Sequence, residues 1–485
     1  MIIMLKPTFS VAQGEVALID ISMRKPEQVD MVQTATAHVF CFISNKEIQL
    51  SLVNSNYTYS SAVFKLSKEL YRSEYILSTR DNNSHTMYYL NKKNNSIQAF
   101  KIDLSMATSQ TLVCGEIPMD ESFLTAVNID GVFYMLTVSR TTAFIHLWKS
   151  EKGSALEKTS FQIKQTKLHR YLETRDEELN EKKFSAIGID KVDYELENNL
   201  KSTHALSKLY VIEGKIVLTV DDPDKTLLYT IDTQNKTLVE KEYGFSLEKA
   251  DKSRDKQGNS FLLNNKLFRA TINDVMMNIS LVSVDSAKLL WTYNVLPEEQ
   301  IAIKNGPILS EEDGVNKVLG KTNQYFNRVL SGKISIAANE INGHYLMQVG
   351  SYEYKDSWNS PSSGPNISIG MGLGMGIGMG YSTPGVGGYG WGMPGYYNGY
   401  PGYYPNSSYS YIQTTYFYSL LNTETLEHSM FPPPKTMREK LNEYETQKFK
   451  KNSPDLINIS PLPGKFILMG YYVRKNHKYQ LVEIR

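Results

Sequence analysis

Apolar residues along this chain come in short runs, many alternating with polar ones, and the runs are bounded by Gly, Asn, Asp or Ser. A period of two is the signature of a half-buried β-strand, and the bounding residues are turn formers. One pattern recurs. A strand opens with Gly or Asn, a polar turn follows, and a second strand ends in a short hairpin of D-T-x-x-x-x-L type. The clearest copy is GKIVLTVDDPDKTLLYTIDTQNKTLVEKEY, Gly214 to Tyr243. MMNISLVSVDSAKLLWTYNV, from Met276, and QTTYFYSLLNTETLEHSMF, from Gln413, repeat it. Fainter copies start at Asn94 and Ala143. The strands expected to lead these hairpins on the inside begin at Ala37, Ser73, Gly131, Gly214, Gly258, Gly343 and Gly464.

Repetition of small antiparallel units predicts a mostly β fold. The reading is a single β-propeller-like domain over 15–485, of six or seven blades with helical insertions. Two separate sandwiches are the alternative. The last unit runs out after two strands, at YQLVEIR, while EVALIDIS, Glu15 to Ser22, alternates near the start. The two terminal strands are therefore predicted to pair in one blade, which removes exposed edges.

Four insertions explain the uneven spacing. Residues 157–205 are charged and read as partly helical, with a solvated face lying over the sheets. In 310–332, Val315, Val318, Leu319, Phe326 and Leu330 fall at helical spacing. Residues 432–455 open with prolines, and Thr436 followed by Glu439 makes a capping box for a helix. Residues 357–412 are of another kind. No charged residue occurs from Ser357 through Thr423, and Gly370 to Gly380 alternates Gly with Met, Leu or Ile. An extended backbone would put every glycine on one face and every apolar side chain on the other. From Tyr381 the composition turns to Tyr, Trp, Pro and Gly. The flanking pieces, YLMQVGSYEYKDSW and SYIQTTYFYSLLN, read as one hairpin with this stretch inserted at its tip.

Gly-rich backbone carries a large ordering entropy, so such a tract is expected to order only when a partner covers it. Tyr and Trp offer large contact areas with few rotors, and Met adapts to irregular surfaces. The segment is read as a docking element for a protein partner, with peripheral membrane contact also open. Met371, Met375, Met379, Tyr381, Trp391, Tyr396, Tyr397, Tyr403 and Tyr404 are the candidate anchors. A tolerated low-complexity expansion is the competing reading, and a self-association device is the third.

Composition narrows the classes. A hydrophobic share of 41% supports a core, and a net charge of +1 argues against a nucleic-acid surface. No run of 18 apolar residues suggests a membrane-spanning helix. Residues 1–14 resemble a truncated signal peptide, with Ser10, Val11 and Ala12 before Gln13 meeting the small-x-small rule. That predicts export to the periplasm or outer membrane, a cytoplasmic protein being the alternative. Cys41 and Cys114 are either two buried thiols or one bridge.

Motifs for chemistry fail on context. Gly385, Gly387 and Gly390 match G-x-G-x-x-G without a leading strand or a following helix. GVNKVLGKT, from Gly314, has five residues between its glycines where a phosphate loop has four. His38, His146, His344 and His477 stand singly, without metal-ligand spacing. DDPDK, Asp221 to Lys225, lacks the glycine and distal glutamate of a calcium loop and reads as a polar turn. No catalytic, metal or cofactor residue is assigned. The whole resembles, in general kind and with no shared family motif, the β-propeller-like bacterial cell-envelope proteins that cap or plug outer-membrane translocons such as those of type IX secretion. That resemblance implies a non-catalytic subunit whose partner is an outer-membrane or periplasmic complex. A propeller glycan hydrolase or lyase with axial carboxylates is the alternative.

Overall fold

The computed structural model describes residues 13–484, apart from 24–25, 34–36, 82, 166–167, 169–188, 195, 246, 248–255, 313–314, 357–409, 450–454 and 463–465. Strand β1 (Gln13–Asp20) stands first and is used last. Blade 1 is β2 (Gln28–Gln33), β3 (Ala37–Ile43), β4 (Glu47–Asn54) and β5 (Tyr59–Lys65). Blade 2 is β6 (Glu74–Arg80), β7 (Ser84–Asn91), β8 (Ser96–Asp103) and β9 (Thr108–Glu116). Blade 3 is β10 (Glu121–Ile129), β11 (Val132–Ser139), β12 (Phe144–Ser150) and β13 (Glu157–Gln162). Blade 4 has β14 (Ile189–Val192), helix α1 (Leu200–Thr203), β15 (Ser207–Ile212), β16 (Lys215–Asp221), β17 (Lys225–Asp232) and β18 (Thr237–Gly244). Blade 5 is β19 (Gln257–Leu263), β20 (Lys266–Ile272), β21 (Met277–Ser283) and β22 (Leu289–Val295).

Blade 6 departs from chain order. Its pieces are β23 (Ile308–Glu312), β24 (Val315–Leu319), helix α2 (Thr322–Ser331), β25 (Ile334–Ile341), β26 (His344–Asp356) and β27 (Ser410–Asn422). They pair as β25-β26-β27-β23-β24, so the two outer strands precede the inner one in sequence. Helix α3 (Met437–Phe449) leads into blade 7, which is β28 (Asp455–Leu462), β29 (Phe466–Val473) and β30 (Lys478–Ile484) with β1 as its outer strand. The described residues thus form a mostly β, propeller-like ring of seven small sheets.

Local chemistry sets the hairpins. Asp130-Gly131, Glu213-Gly214, Asn264-Asn265 and Asn342-Gly343 each hold both residues at positive φ, between paired strands. A two-residue turn with both φ positive matches the right-handed twist of its strands, and Gly and Asn are the cheapest residues for it. These turns join β10 to β11, β15 to β16, β19 to β20 and β25 to β26, which is why a strand so often opens with glycine. Farther out, Asp232 Oδ1 accepts the amides of Gln234 and Asn235 at 3.0 and 2.8 Å, and Asp103 does the same for Ser105 and Met106 at 2.9 and 3.0 Å. The D-T-x-x-x-x-L motif is this Asx turn.

Middle strands are buried on both faces because each sheet is sandwiched between two others. In β7, seven consecutive residues are buried, whereas outer β18 alternates. The apolar clusters place the sheets in sequence. Phe40 and Phe42 of blade 1 meet Tyr479 and Leu481 of blade 7. Cys41 meets Met87, Tyr88 stacks on Phe133 at 4.1 Å, and Leu136 meets Leu218. One larger cluster joins blades 4, 5 and 6 with α2.

Several expectations need correction. The strands expected on the inside at Ala37, Gly131, Gly343 and Gly464 are second strands, and the one at Gly214 is third; the inner ones in those blades are β2, β10, β25, β28 and β14, with β15 next to β14. Residues 310–332 are not one helix. Val315, Val318 and Leu319 belong to β24, and helix begins at Thr322. Glu312 pairs with Val315, leaving Asp313-Gly314 between them, the dipeptide that favours a tight hairpin over helix continuation. The copy from Gln413 keeps its turn but not its second strand. A lone bridge, Leu421 to His428, follows, and β23 takes the ladder on the outer side of β27. The two-thiol reading of the cysteines holds: Cys41 and Cys114 are both free and buried.

β1 pairs with β30 from Gln13↔Ile484 to Asp20↔Lys478, so the terminal strands meet in one blade as the alternation predicts. Ile19 is fully buried there while Leu18 is 41% exposed. Ile19→Ala is expected to cost about 2–4 kcal/mol in urea unfolding, and Leu18→Ala less than about 0.5 kcal/mol. Equal costs would mean that β1 does not seal the ring.

Candidate functional site at the propeller axis

The inner strands of a propeller lean together around an axis where ligands and catalytic groups often collect. Here part of the 157–205 insertion lies in that place. β14 runs parallel to β15, from Ile189↔Ser207 to Val192↔Tyr210, and takes the axial side of blade 4. Lys191 Nζ donates to the Ala126 carbonyl of blade 3 at 2.5 Å. The chain then crosses the ring. Tyr194 donates its hydroxyl to the Leu262 carbonyl of blade 5 at 2.5 Å. Asn198 and Asn339 of blade 6 exchange two hydrogen bonds, at 2.6 and 2.8 Å. The amide of Leu200 donates to Gln348 Oε1 at 3.1 Å. Asn199 and Ser202 cap the single turn of α1 reciprocally, and Ser335 Oγ donates to the Thr203 carbonyl at 3.2 Å. At the far end Arg438 Nε donates to the Glu197 carbonyl at 2.8 Å, and the Met437 amide to Glu197 Oε1 at 3.0 Å.

This corrects the reading of 157–205 as a solvated excursion. Its described part from Ile189 to His204 is a plug, bonded to blades 3, 4, 5 and 6 and to α3. Backbone amides buried in a polar channel need partners, and side-chain amides supply them: Asn198 and Gln348 are buried, Asn339 is half-buried, and each bonds backbone.

Beside the plug lies the axial acid. Asp30 of β2 is 7% exposed. Its Oδ2 accepts from Ser78 Oγ at 2.6 Å and from the Tyr75 hydroxyl, and its Oδ1 from the Met31 amide at 2.9 Å. Burial pushes this carboxyl up, and the hydroxyl bonds and the Lys191 charge pull it back. Burial also lowers the Lys191 ammonium to about 8, against the attraction of Asp30.

Two other acids are buried, Asp221 between blades 4 and 5 and Glu121 within blade 3. Asp221 and Lys208 are both fully buried and 3.4 Å apart. Asp221 also accepts from Thr226 Oγ1 at 2.6 Å and from the Ser260 amide and hydroxyl at 2.8 and 2.7 Å, tying blade 4 to blade 5. Lys208 donates in addition to the Ala205 carbonyl at 2.7 Å and to Asn259 Oδ1 at 3.2 Å. The DDPDK turn is therefore two things: Asp222 caps the turn through the Asp224 and Lys225 amides at 2.7 and 2.8 Å, and Asp221 points inward as a network node. Glu121 of blade 3 accepts from the Thr137 hydroxyl and from Lys158, with His146 Nε2 at 3.7 Å. Burial lowers the His146 imidazole despite the nearby Glu121 charge. Each acid is engaged by groups of its own chain, an arrangement suited to holding blades in register. Among the described residues no group of three or more His, Cys, Asp or Glu is arranged to hold a metal ion.

The nine candidate anchors, Met371 to Tyr404, lie outside the described residues, so the sheet brings none of them together. What is described is their mount. β26 and β27 pair without a break from His344↔Asn422 to Asp356↔Ser410. β25 ends its pairing at Ser351, so the last five rungs run past the inner strand. Sequence reading missed Asp30, Lys191, Asn198 and Asn339. β14 is a four-residue strand inside a charged stretch, and nothing in its pattern signals an axial position.

No protein-family model matches this chain, and no curated protein matches it. Among solved structures, a prolyl endopeptidase is similar at 10% identity over 71% of this chain and 44% of its own, with a TM-score of 0.30. A quinonprotein alcohol dehydrogenase-like protein from Bacteroides thetaiotaomicron shows 10% identity over 56% and 66%, with a TM-score of 0.24. The dihydro-heme d1 dehydrogenase NirN shows 8% over 54% and 45%, also at 0.24. The chain thus spans about half to two thirds of the length of these structures, and at such scores the fold rests on its own sheet order.

Asp221→Ala is expected to destabilise by about 3–5 kcal/mol, because Lys208 is left buried without its counter-ion. Adding Lys208→Met should restore at least half of the loss in chemical unfolding. A double variant no better than the single one would show that the pair does not act as a unit.

Proposed function

We propose that this propeller is a non-catalytic interaction subunit of the cell envelope, which docks on or plugs an outer-membrane or periplasmic complex, such as a secretion translocon, through the Gly/Met/Tyr segment. The observation that carries the reading is the β26–β27 hairpin. Its thirteen paired rungs make a firm mount that overhangs the blade and leads directly into the uncharged segment. A rigid base lowers the entropy cost of presenting a Gly-rich element. Energy in such a contact concentrates on a few aromatic anchors, here Trp391, Tyr396, Tyr397, Tyr403 and Tyr404, with Met371, Met375, Met379 and Tyr381 along the extended part.

The axial plug supports the non-catalytic side of this reading. A glycan hydrolase or lyase would need axial carboxylates open to substrate, and Asp30 is held by three donors beside a segment of its own chain. Envelope location rests on the signal-like residues 1–14 and on the general resemblance to envelope propellers.

Deletion of 364–408 tests the reading. The melting temperature is expected to move by less than about 10 °C, since closing a loop costs only slowly more with length. Copurification of the partner from native membranes should be lost. Replacing Trp391 and the paired tyrosines by Ser should release the partner with the fold intact. A complex that survives both changes would place the docking surface elsewhere.

A further inference from the structure

The seams between sheets differ in kind. From blade 7 through blade 1 to blade 6, neighbouring sheets press apolar faces together. Between blades 6 and 7 the helix α3 intervenes. Leu441 and Tyr444 pack on Ile467, Met469 and Val482 of blade 7. The other side of α3 meets polar groups: Glu439 Oε1 accepts from the Tyr418 hydroxyl of blade 6 at 3.3 Å, and Arg438 and Met437 bond Glu197 of the plug. One helix therefore closes both the ring and the axis.

Glu445 sits in that seam, 9% exposed. Its Oε1 is buried and has no hydrogen-bond partner among the described residues. A carboxylate left in that state is costly, while a neutral carboxyl is tolerated. The titratable groups around the seam come from every element that meets there. The plug brings Glu197 and Lys201, blade 6 brings Tyr416 and Tyr418, and blade 7 brings Tyr471. β1 brings Glu15, whose Oε1 lies 3.8 Å from Lys448 of α3, and the helix itself adds Arg438, Glu439 and Tyr444. Among them Lys201 is the charge that acts on the Glu445 carboxyl.

We propose that α3 is a proton-held latch, which closes the ring against the plug while Glu445 is uncharged and loosens when that carboxyl ionises. Burial raises Glu445 to about 7, and Lys201 pulls it back only in part. Burial and Arg438 in turn lower Lys201. The sign follows from linkage. A carboxyl whose pKa is raised by folding binds more protons folded than unfolded, so the seam is firmest in acid. It weakens as pH rises from the ordinary glutamate range to about 7, and it stays weak above. This holds whether or not the docking reading is right, because it needs no partner.

Hydrogen–deuterium exchange on the full chain at pH 5 and pH 8, corrected for intrinsic rates, tests it. Protection of α3 amides is expected to fall by about tenfold or more at pH 8, with β7 and β20 unchanged. Glu445→Gln, which mimics the uncharged form, should hold the pH 5 protection at both values. Lys201→Met, which removes the opposing cation, should deepen the fall. Equal wild-type protection at the two values overturns the proposal, as does an undiminished fall in Glu445→Gln.

Discussion

A sheet that is apolar on both faces must have a neighbour on each side, so a row of such sheets is stable only when it has no ends. That constraint governs this molecule. The middle strands carry unbroken buried runs because each is covered twice, and bending the row into a ring covers the first and last blades at no further cost in exposed surface. The closing joint is a shared sheet. β1 completes blade 7, and Tyr479 carries that sheet onto Phe40 and Phe42 of blade 1. At the other flank of blade 7 a helix does the covering, and the contact changes from apolar to mixed.

The axis answers to a different rule. Inner strands converge, and the groups they turn inward are polar, so an empty channel would have to be wet. In this chain a stretch with its own unsatisfied amides lies there instead, and the two sets of polar groups satisfy each other. Asn198 with Asn339 and Leu200 with Gln348 are pairings of that sort. The buried acids follow the same logic. Asp221, Glu121 and Asp30 each stand where two elements meet, and the partners of Asp221 and Asp30 come from both sides.

Much of the ring was legible in the sequence, and the gaps have physical causes. Second, third and outer strands announce themselves through apolar runs, positive-φ turns such as Asn342-Gly343 and Asx turns such as Asp232. The pairing of both termini was readable from alternation alone. Inner strands were readable only at Ser73 and Gly258, which lead β6 and β19, since others such as QVDMVQ and ISIAANEI face a polar axis and lose the apolar contrast that marks their neighbours. Val315 and Leu319 fit a helical spacing by accident of a five-residue strand, and the following helix supplied the rest of the pattern. The axial site was invisible for a related reason: Lys191 and Asn198 take their meaning from blades far away in the chain.

The shared sheet also sets an order of events. Among the described strands β1 is made before any other, and its partner β30 after all the rest. At about 5–20 residues per second, the chain from Asp20 to Lys478 takes on the order of 20–90 s to make. For that whole interval β1 has no ladder to join, and of the cluster that buries Ile19 only the blade 1 side, Phe40, Phe42 and Val53, has been made. The ring therefore cannot finish blade by blade as it is made. It closes in one late step once β30 has been made, and until then the molecule depends on whatever keeps an unpaired strand from finding the wrong edge.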